Sequence, residues 1–185
     1  MARLPPATRE SVPKGHQEAF DKLVKSMGEV PVYGPSSVLM HVPKARLLQD
    51  GLNNYLRTES CLPKKTLELA MLVMAREMDC QYIWHAHAAS ARNEGVRDSV
   101  VDSLRDRKEL PALLPDEAAV VCYAREFFKR HYVGSGTFQL AMEQFGRQGV
   151  VELGLLLGMY CTLALLINSF DTDMPSDRTE PLLPL

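Results

Sequence analysis

Pro63-Lys64-Lys65-Thr66-Leu67-Glu68-Leu69-Ala70-Met71-Leu72-Val73-Met74-Ala75, followed closely by Asp79-Cys80-Gln81-Tyr82-Ile83-Trp84-His85-Ala86-His87, is the stretch that decides the fold class. Pro63 suits a helix start, where its fixed φ and missing N–H do no harm. The apolar run from Leu67 to Ala75 shows no period-two alternation and reads as a helix buried on most sides. Asp79 falls where that helix plausibly breaks and is a good N-cap for the next one, Cys80 to about Asn93, which Gly95 terminates.

The same signals recur on either side. His16 to Met27 carries Ala19, Phe20, Leu23, Val24 and Met27 as an amphipathic stripe, and Gly28 stops it. Val30-Pro31-Val32-Tyr33-Gly34-Pro35-Ser36 reads as turn chemistry. Pro43 opens a helix through Leu47, Leu48, Leu52 and Tyr55. Asp98 to about Arg107 is a short helix, and Pro115-Asp116-Glu117 opens another with Val120, Val121, Ala124 and Phe128 on one face. Phe138 to Phe145 is ended by Gly146, and the last helix runs from about Gly149 to Asn168. The expectation is an all-α protein of about eight helices: a loose proline-bearing tail over 1–13, a single helical domain over 14–172, and a Pro-containing tail over 173–185. Leu67-Glu68-Leu69 and Val151-Glu152-Leu153 each lead a hydrophobic helix, a faint echo that would suggest two related halves.

Bulk properties narrow the partners. The 185 residues suffice for one ordinary domain with a sizeable core; 46% are hydrophobic and 24% charged, against intrinsic disorder. A net charge of −2 gives no electrostatic reason to expect nucleic acid or an anionic membrane. Leu153 to Ile167 is uncharged but shorter than the ~20 residues of a bilayer span, so a core or interface helix is the better reading. The start lacks the apolar core of a secretory signal, and four cysteines in this context do not resemble a disulfide framework; a reducing cytoplasm is expected.

The polar cluster with most chemical content is Glu68, Cys80 and His87. Cys80 would occupy the first turn of its helix, where the macrodipole lowers a thiol pKa. His85 and His87 lack the i, i+3 or i+4 spacing of a helical metal pair, so no metal is expected. Glu68 between Leu67 and Leu69 needs a partner, and desolvation there would raise its pKa toward neutrality. His87 is that partner if the two helices pack across the Asp79 break, and a Glu–His pair can move a proton near pH 7. The bland alternative has Glu68 bonding a helix end and His87 satisfied in the core. Trp84, one turn before His87, would be either a flat wall for a planar substrate or a packed core aromatic. Tyr160 and Asn168 are polar groups on the hydrophobic last helix, lining a site or bonding a neighbouring helix end.

Glu68, Cys80 twelve residues on, and His87 seven further resemble the Glu…Cys-x-x-Cys-x-x-x-His motif of AhpD-like alkylhydroperoxidases, with Ile83 at the second cysteine. Gly34-Pro35 leading to His41-Val42-Pro43, the Gln81–His87 block, Phe145-Gly146 leading to Val150-Val151-Glu152-Leu153, and Tyr160 followed by Asn168-Ser169-Phe170 resemble longer, two-part members of the wider carboxymuconolactone decarboxylase-like family. The resemblance covers roughly residues 30–175 and implies the AhpD-like helical fold.

For function, the resemblance implies a cofactor-free lyase acting on a small aromatic-derived or lactone carboxylic acid. His87 would be the general acid–base, Glu68 would orient it, and Trp84 would pack on the substrate. Tyr33 and His41 come from the proline-flanked loop that resembles the family segment covering the site, and either would line it or be a surface residue. Two alternatives stay open: a one-cysteine peroxidase using Cys80, and a helical ligand-binding protein without chemistry. Cys61, Cys122 and Cys161 read as small buried hydrophobes. The uniformly apolar last helix, with the resemblance, implies a homotrimer or homohexamer, with Leu182-Leu183-Pro184-Leu185 docked on a neighbouring subunit.

Overall fold

The computed structural model of the protein describes residues 2–185. Eight helices follow a short 3₁₀ turn at Lys14–His16: α1 (Gln17–Met27), α2 (Gly34–Leu39), α3 (Pro43–Thr58), α4 (Lys64–Glu77), α5 (Gln81–Asn93), α6 (Asp98–Arg105), α7 (Pro115–Arg130) and α8 (Ser135–Phe170). Among the described residues there is no strand. The boundaries obey local chemistry: Gly28 closes α1 at φ 82°, and prolines sit in the first turns of α2, α3 and α7. α8 is two helices joined at Gly146, whose φ of 65° and ψ of −177° break the helical path where the sequence places a stop.

The centre of the protein is α4. Every residue from Thr66 to Arg76 is buried, and α5, α7 and α8 pack around it. Full burial of Leu69, Met71, Leu72 and Met74 contributes about 1.5–3 kcal/mol each. α8 is long and apolar enough by composition to cross a membrane, but it is a core helix, with about half of its apolar window buried against the rest of the chain. Val151, Leu155 and Leu165 remain exposed along it.

Several expectations are corrected. The segment around Gly34-Pro35-Ser36 is a helix rather than a turn. Pro35 fits its first turn, and Gly34, at φ 60°, lies so close to Tyr82 that an added Cβ would stand 2.2 Å from that ring. Asp79 is not the cap of α5. It adopts φ 49°, its carboxylate binds Arg76 and Arg107, and Cys80 takes the N-cap position. The N-terminal tail is anchored: Ala7 and Val12 are buried with Phe20, Leu23 and Met40, and Arg3 N–H donates to Phe170 O at 2.9 Å. Met1 lies outside the described residues.

The C-terminal tail docks on its own chain. Leu183 is buried in the main core, and its backbone N–H and C=O both bond the Gln81 side chain, at 2.9 and 2.7 Å. Pro184 O accepts from Arg76, and Glu180 pairs with Arg92.

Candidate active site

α4 and α5 form a hairpin across residues 78–80 that brings Glu68 and His87 together. His87 Nδ1 lies 2.8 Å from Glu68 Oε2, both side chains nearly buried. The bond requires the proton on Nδ1 when Glu68 is ionised, which leaves Nε2 as the exchangeable nitrogen. Burial opposes ionisation of Glu68. The hydrogen bond and charge of His87, the Arg57 guanidinium and Ser90 outweigh it, and the carboxyl is held below its ordinary value. The sequence expectation of a raised Glu68 pKa is therefore reversed, because it considered desolvation without the cations that the fold supplies.

Two cavities flank the pair. His87 lines one of about 140 Å³ with Tyr82, Ile83, Leu163, Tyr160 and, from α3, Asn53. Glu68 lines a second of about 260 Å³ with Arg57, Lys64, Met71, Ser90 and Glu94. A larger space of about 360 Å³ lies between the N-terminal arm and the end of α8. Its lining has no histidine or cysteine, so chemistry favours the first two. Tyr160 packs edge-on against the imidazole, with ring centroids 5.3 Å apart and planes at 73°. Its hydroxyl accepts a long bond from Arg57 Nη1 at 3.5 Å, while Arg57 Nη2 reaches Glu68 Oε1 at 3.3 Å. Burial pushes the Tyr160 hydroxyl up to about 12, so it stays protonated.

The other residues singled out from sequence lie apart from this pair. Cys80 is fully buried in the main core and lines none of these three cavities. Burial pushes its thiol up to about 11, against the weaker pull of the Ile83 and Tyr82 backbone N–H groups, so the expected activated thiol is not formed. Trp84 is a packed core aromatic whose Nε1 donates to Pro181 O at 3.1 Å. At 3.6 residues per turn, Ile83 lies about 40° to one side of His87 and Trp84 about 60° to the other. Ile83 therefore faces the cavity and Trp84 the tail. Tyr33 is exposed, and His41 Nε2 lies 3.2 Å from Pro5 O; the covering segment reaches the cavity through Pro35, Ser36 and Leu39 instead. Asn168 donates to Met78 O at 2.8 Å, bonding a helix end. Cys61 and Cys122 are exposed rather than buried, and all four cysteines are free.

Arg57, Ser90, Gln49 and Asn53 are site residues that the sequence reading missed. Gln49, Asn53 and Arg57 recur at i, i+4 and i+8 on α3, a polar stripe visible in the sequence but eclipsed by Leu47, Leu48, Leu52 and Tyr55. Those apolar residues are exposed, Leu48 at 79%. Among the described residues, no group of three or more His, Cys, Asp or Glu side chains is placed to hold a metal ion.

The all-α scaffold is the AhpD-like fold. Solved structures share it at low identity. A peroxidase-related protein from Ralstonia eutropha JMP134, described as an alkylhydroperoxidase AhpD core, is 16% identical over 95% of this chain and 93% of that one, with a TM-score of 0.71. A peroxidase-related protein from Silicibacter sp. TM1040 is 17% identical over 95% and 92%, with a TM-score of 0.67. The debrominase Bmp8, solved in complex with 2,3,4-tribromopyrrole, is 12% identical over 92% and 90%, with a TM-score of 0.63. No curated protein sequence matches the chain. Residues 43–126 of this chain match the model of the Carboxymuconolactone decarboxylase family, and its fold is the AhpD-like one.

Proposed function

We propose that this protein is a cofactor-free lyase that decarboxylates, or performs related proton-transfer chemistry on, a small aromatic-derived or lactone carboxylic acid. The observation that carries the reading is the 2.8 Å bond between His87 Nδ1 and Glu68 Oε2 at the wall of a small cavity. Glu68 fixes the imidazole's orientation and tautomer. His87 Nε2 is then free to deliver or take a proton at substrate carbon, and Tyr160 holds the ring edge-on. In decarboxylation the C–CO₂⁻ bond breaks, its electron pair enters the conjugated system, CO₂ leaves, and His87 protonates the resulting carbanion. The sum is RCO₂⁻ + H⁺ → RH + CO₂, with no oxidant or reductant. The free cysteines fit the expected reducing cytoplasm.

The names of the peroxidase-related structures favour a second reading, a peroxidase using Cys80, but the burial of that thiol weighs against it. The test is a CO₂-release screen over small lactone and aromatic-derived acids with wild type, His87→Gln and Cys80→Ser. General acid–base catalysis is worth about 10²–10⁴-fold, so His87→Gln should lose at least about 100-fold and Cys80→Ser little. Peroxide turnover abolished by Cys80→Ser would replace the lyase with the peroxidase. Binding of these acids without turnover, unaffected by His87→Gln, would leave a ligand-binding protein.

A further inference from the structure

α3 is amphipathic in the unexpected sense. Its apolar residues Leu48, Leu52 and Tyr55 face outward, while Arg46 is buried and Gln49 and Asn53 line the His87 cavity. Gln49 Nε2 is buried and has no hydrogen-bond partner among the described residues. A buried amide donor is costly to leave unmade, and functional sites are where such donors await an acceptor. The cavity that it enters contains one carboxylate, Asp50, and no lysine or arginine. Of the cations beside it, Arg46 is already engaged by Asp50 at 3.3 Å and by Ser36 O at 3.0 Å, and Arg57 by Glu68 at 3.3 Å and Tyr160 at 3.5 Å. An anionic group placed beside α3 would therefore meet Asp50 with both neighbouring arginines already engaged. An uncharged oxygen would meet amide donors. The volume of about 140 Å³ is that of a single ring, close to the ~150 Å³ known to hold benzene, and Leu39, Ile83, Ala86 and Leu163 supply apolar walls.

We propose that Gln49 and Asn53 are the specificity-determining residues of this cavity, donating hydrogen bonds to an uncharged ring oxygen, a ketone or lactone carbonyl, of a one-ring ligand. The inference rests on the lyase reading and deepens it. As the carboxylate leaves, its electron pair passes through the conjugated ring to this carbonyl, giving an enolate oxygen that the two amides hold until His87 protonates carbon. Donors preorganised toward developing charge are an effective form of transition-state stabilisation. The carboxylate itself, in an apolar wall without a cation, gains by becoming neutral CO₂.

The test is binding, independent of turnover. Cyclohexanone, toluene and benzoate are titrated into ¹⁵N-labelled protein, following the side-chain amide resonances of Gln49 and Asn53. Cyclohexanone should shift both and bind about 10-fold more weakly to Gln49→Leu, while toluene, with no acceptor, binds wild type and variant alike. Gln49→Glu, which replaces the donor by an acceptor, is the second variant; it should also lose cyclohexanone, and the toluene titration certifies an intact cavity in either variant. Equal cyclohexanone binding by wild type and both variants, no cyclohexanone binding to wild type, or tighter benzoate than cyclohexanone binding dependent on Gln49 would each overturn the proposal. None of these outcomes touches the lyase reading, which stands or falls on CO₂ release and its loss in His87→Gln.

Discussion

Glu152 on α8 is the second carboxylate buried on an apolar helix, and its surroundings differ from those of Glu68. It accepts from Tyr55 Oη at 2.7 Å, Cys61 N–H at 2.9 Å and Gln148 Nε2 at 2.9 Å. Burial disfavours its charge, yet the hydrogen bonds from Gln148, Tyr55 and Cys61 bring it from 4.5 down to about 2. Its role is to tie the end of α3 and the following loop to α8. A carboxyl depressed in the folded state stabilises fully above its unfolded value, and that contribution disappears as pH falls through the folded one. Wild-type melting temperature should thus fall more steeply than that of Glu152→Gln as pH drops from 4.5 toward 2. Near neutral pH the variant should be less stable by about 1–2 kcal/mol, because charge-assisted bonds are replaced by neutral ones. The thiols supply another residue-scale check. With iodoacetamide and peptide mass spectrometry, exposed Cys122 should label in the folded protein at least about 100-fold faster than Cys80, which combines burial with a raised pKa. Equal labelling would show that Cys80 is accessible and would revive the thiol mechanism.

Among the elements, the C-terminal strap carries more than its irregular backbone suggests. Gln81 grips Leu183 at both backbone polar groups, Trp84 donates to Pro181, and Arg92 holds Glu180 together with Asp98 and Asp102. These contacts fall on the side of α5 turned away from the His87 cavity, so the strap supports the helix that presents the imidazole. Truncation before Glu180 should expose the sole tryptophan, seen as a red shift in its emission, and cost about 2–4 kcal/mol from loss of Leu183 burial and the bonded network. Unshifted emission in the truncated chain would mean that the core, not the strap, shields Trp84.

For the whole molecule, the exposed apolar residues Leu47, Leu48, Leu52 and Tyr55 on α3 and Val151 and Leu155 on α8 form a surface that monomers rarely leave in water. The Tyr55–Glu152 bond shows that the two helices adjoin there. We propose that this face is covered by further copies of the chain, in a homotrimer or homohexamer, through interfaces on the order of 2,000 Å² or more. Sedimentation at micromolar concentration should report the oligomer, and Leu48→Asp should dissociate it by placing a charge in the interface. A wild-type monomer would end the idea. Because the opposite face of α3 carries Gln49 and Asn53, dissociation should also weaken cyclohexanone binding.

The helices other than α2, their stops and the partnership of Glu68 with His87 were legible in the sequence, because they depend on local periodicity, on proline and glycine conformation, and on motif spacing. Pro63, Gly28, Gly95 and Gly146 act through their own backbone, whatever surrounds them. The environment of each side chain was not legible. Cys80 is inert because the core closes over it, Glu68 is acidic because His87 and, after it, Arg57 reach it from other helices against the cost of burial, and Trp84 faces the strap because a distant segment folds back on α5. Solvation and charge at a site sum contributions from residues far apart in the chain, so only the tertiary structure decides them.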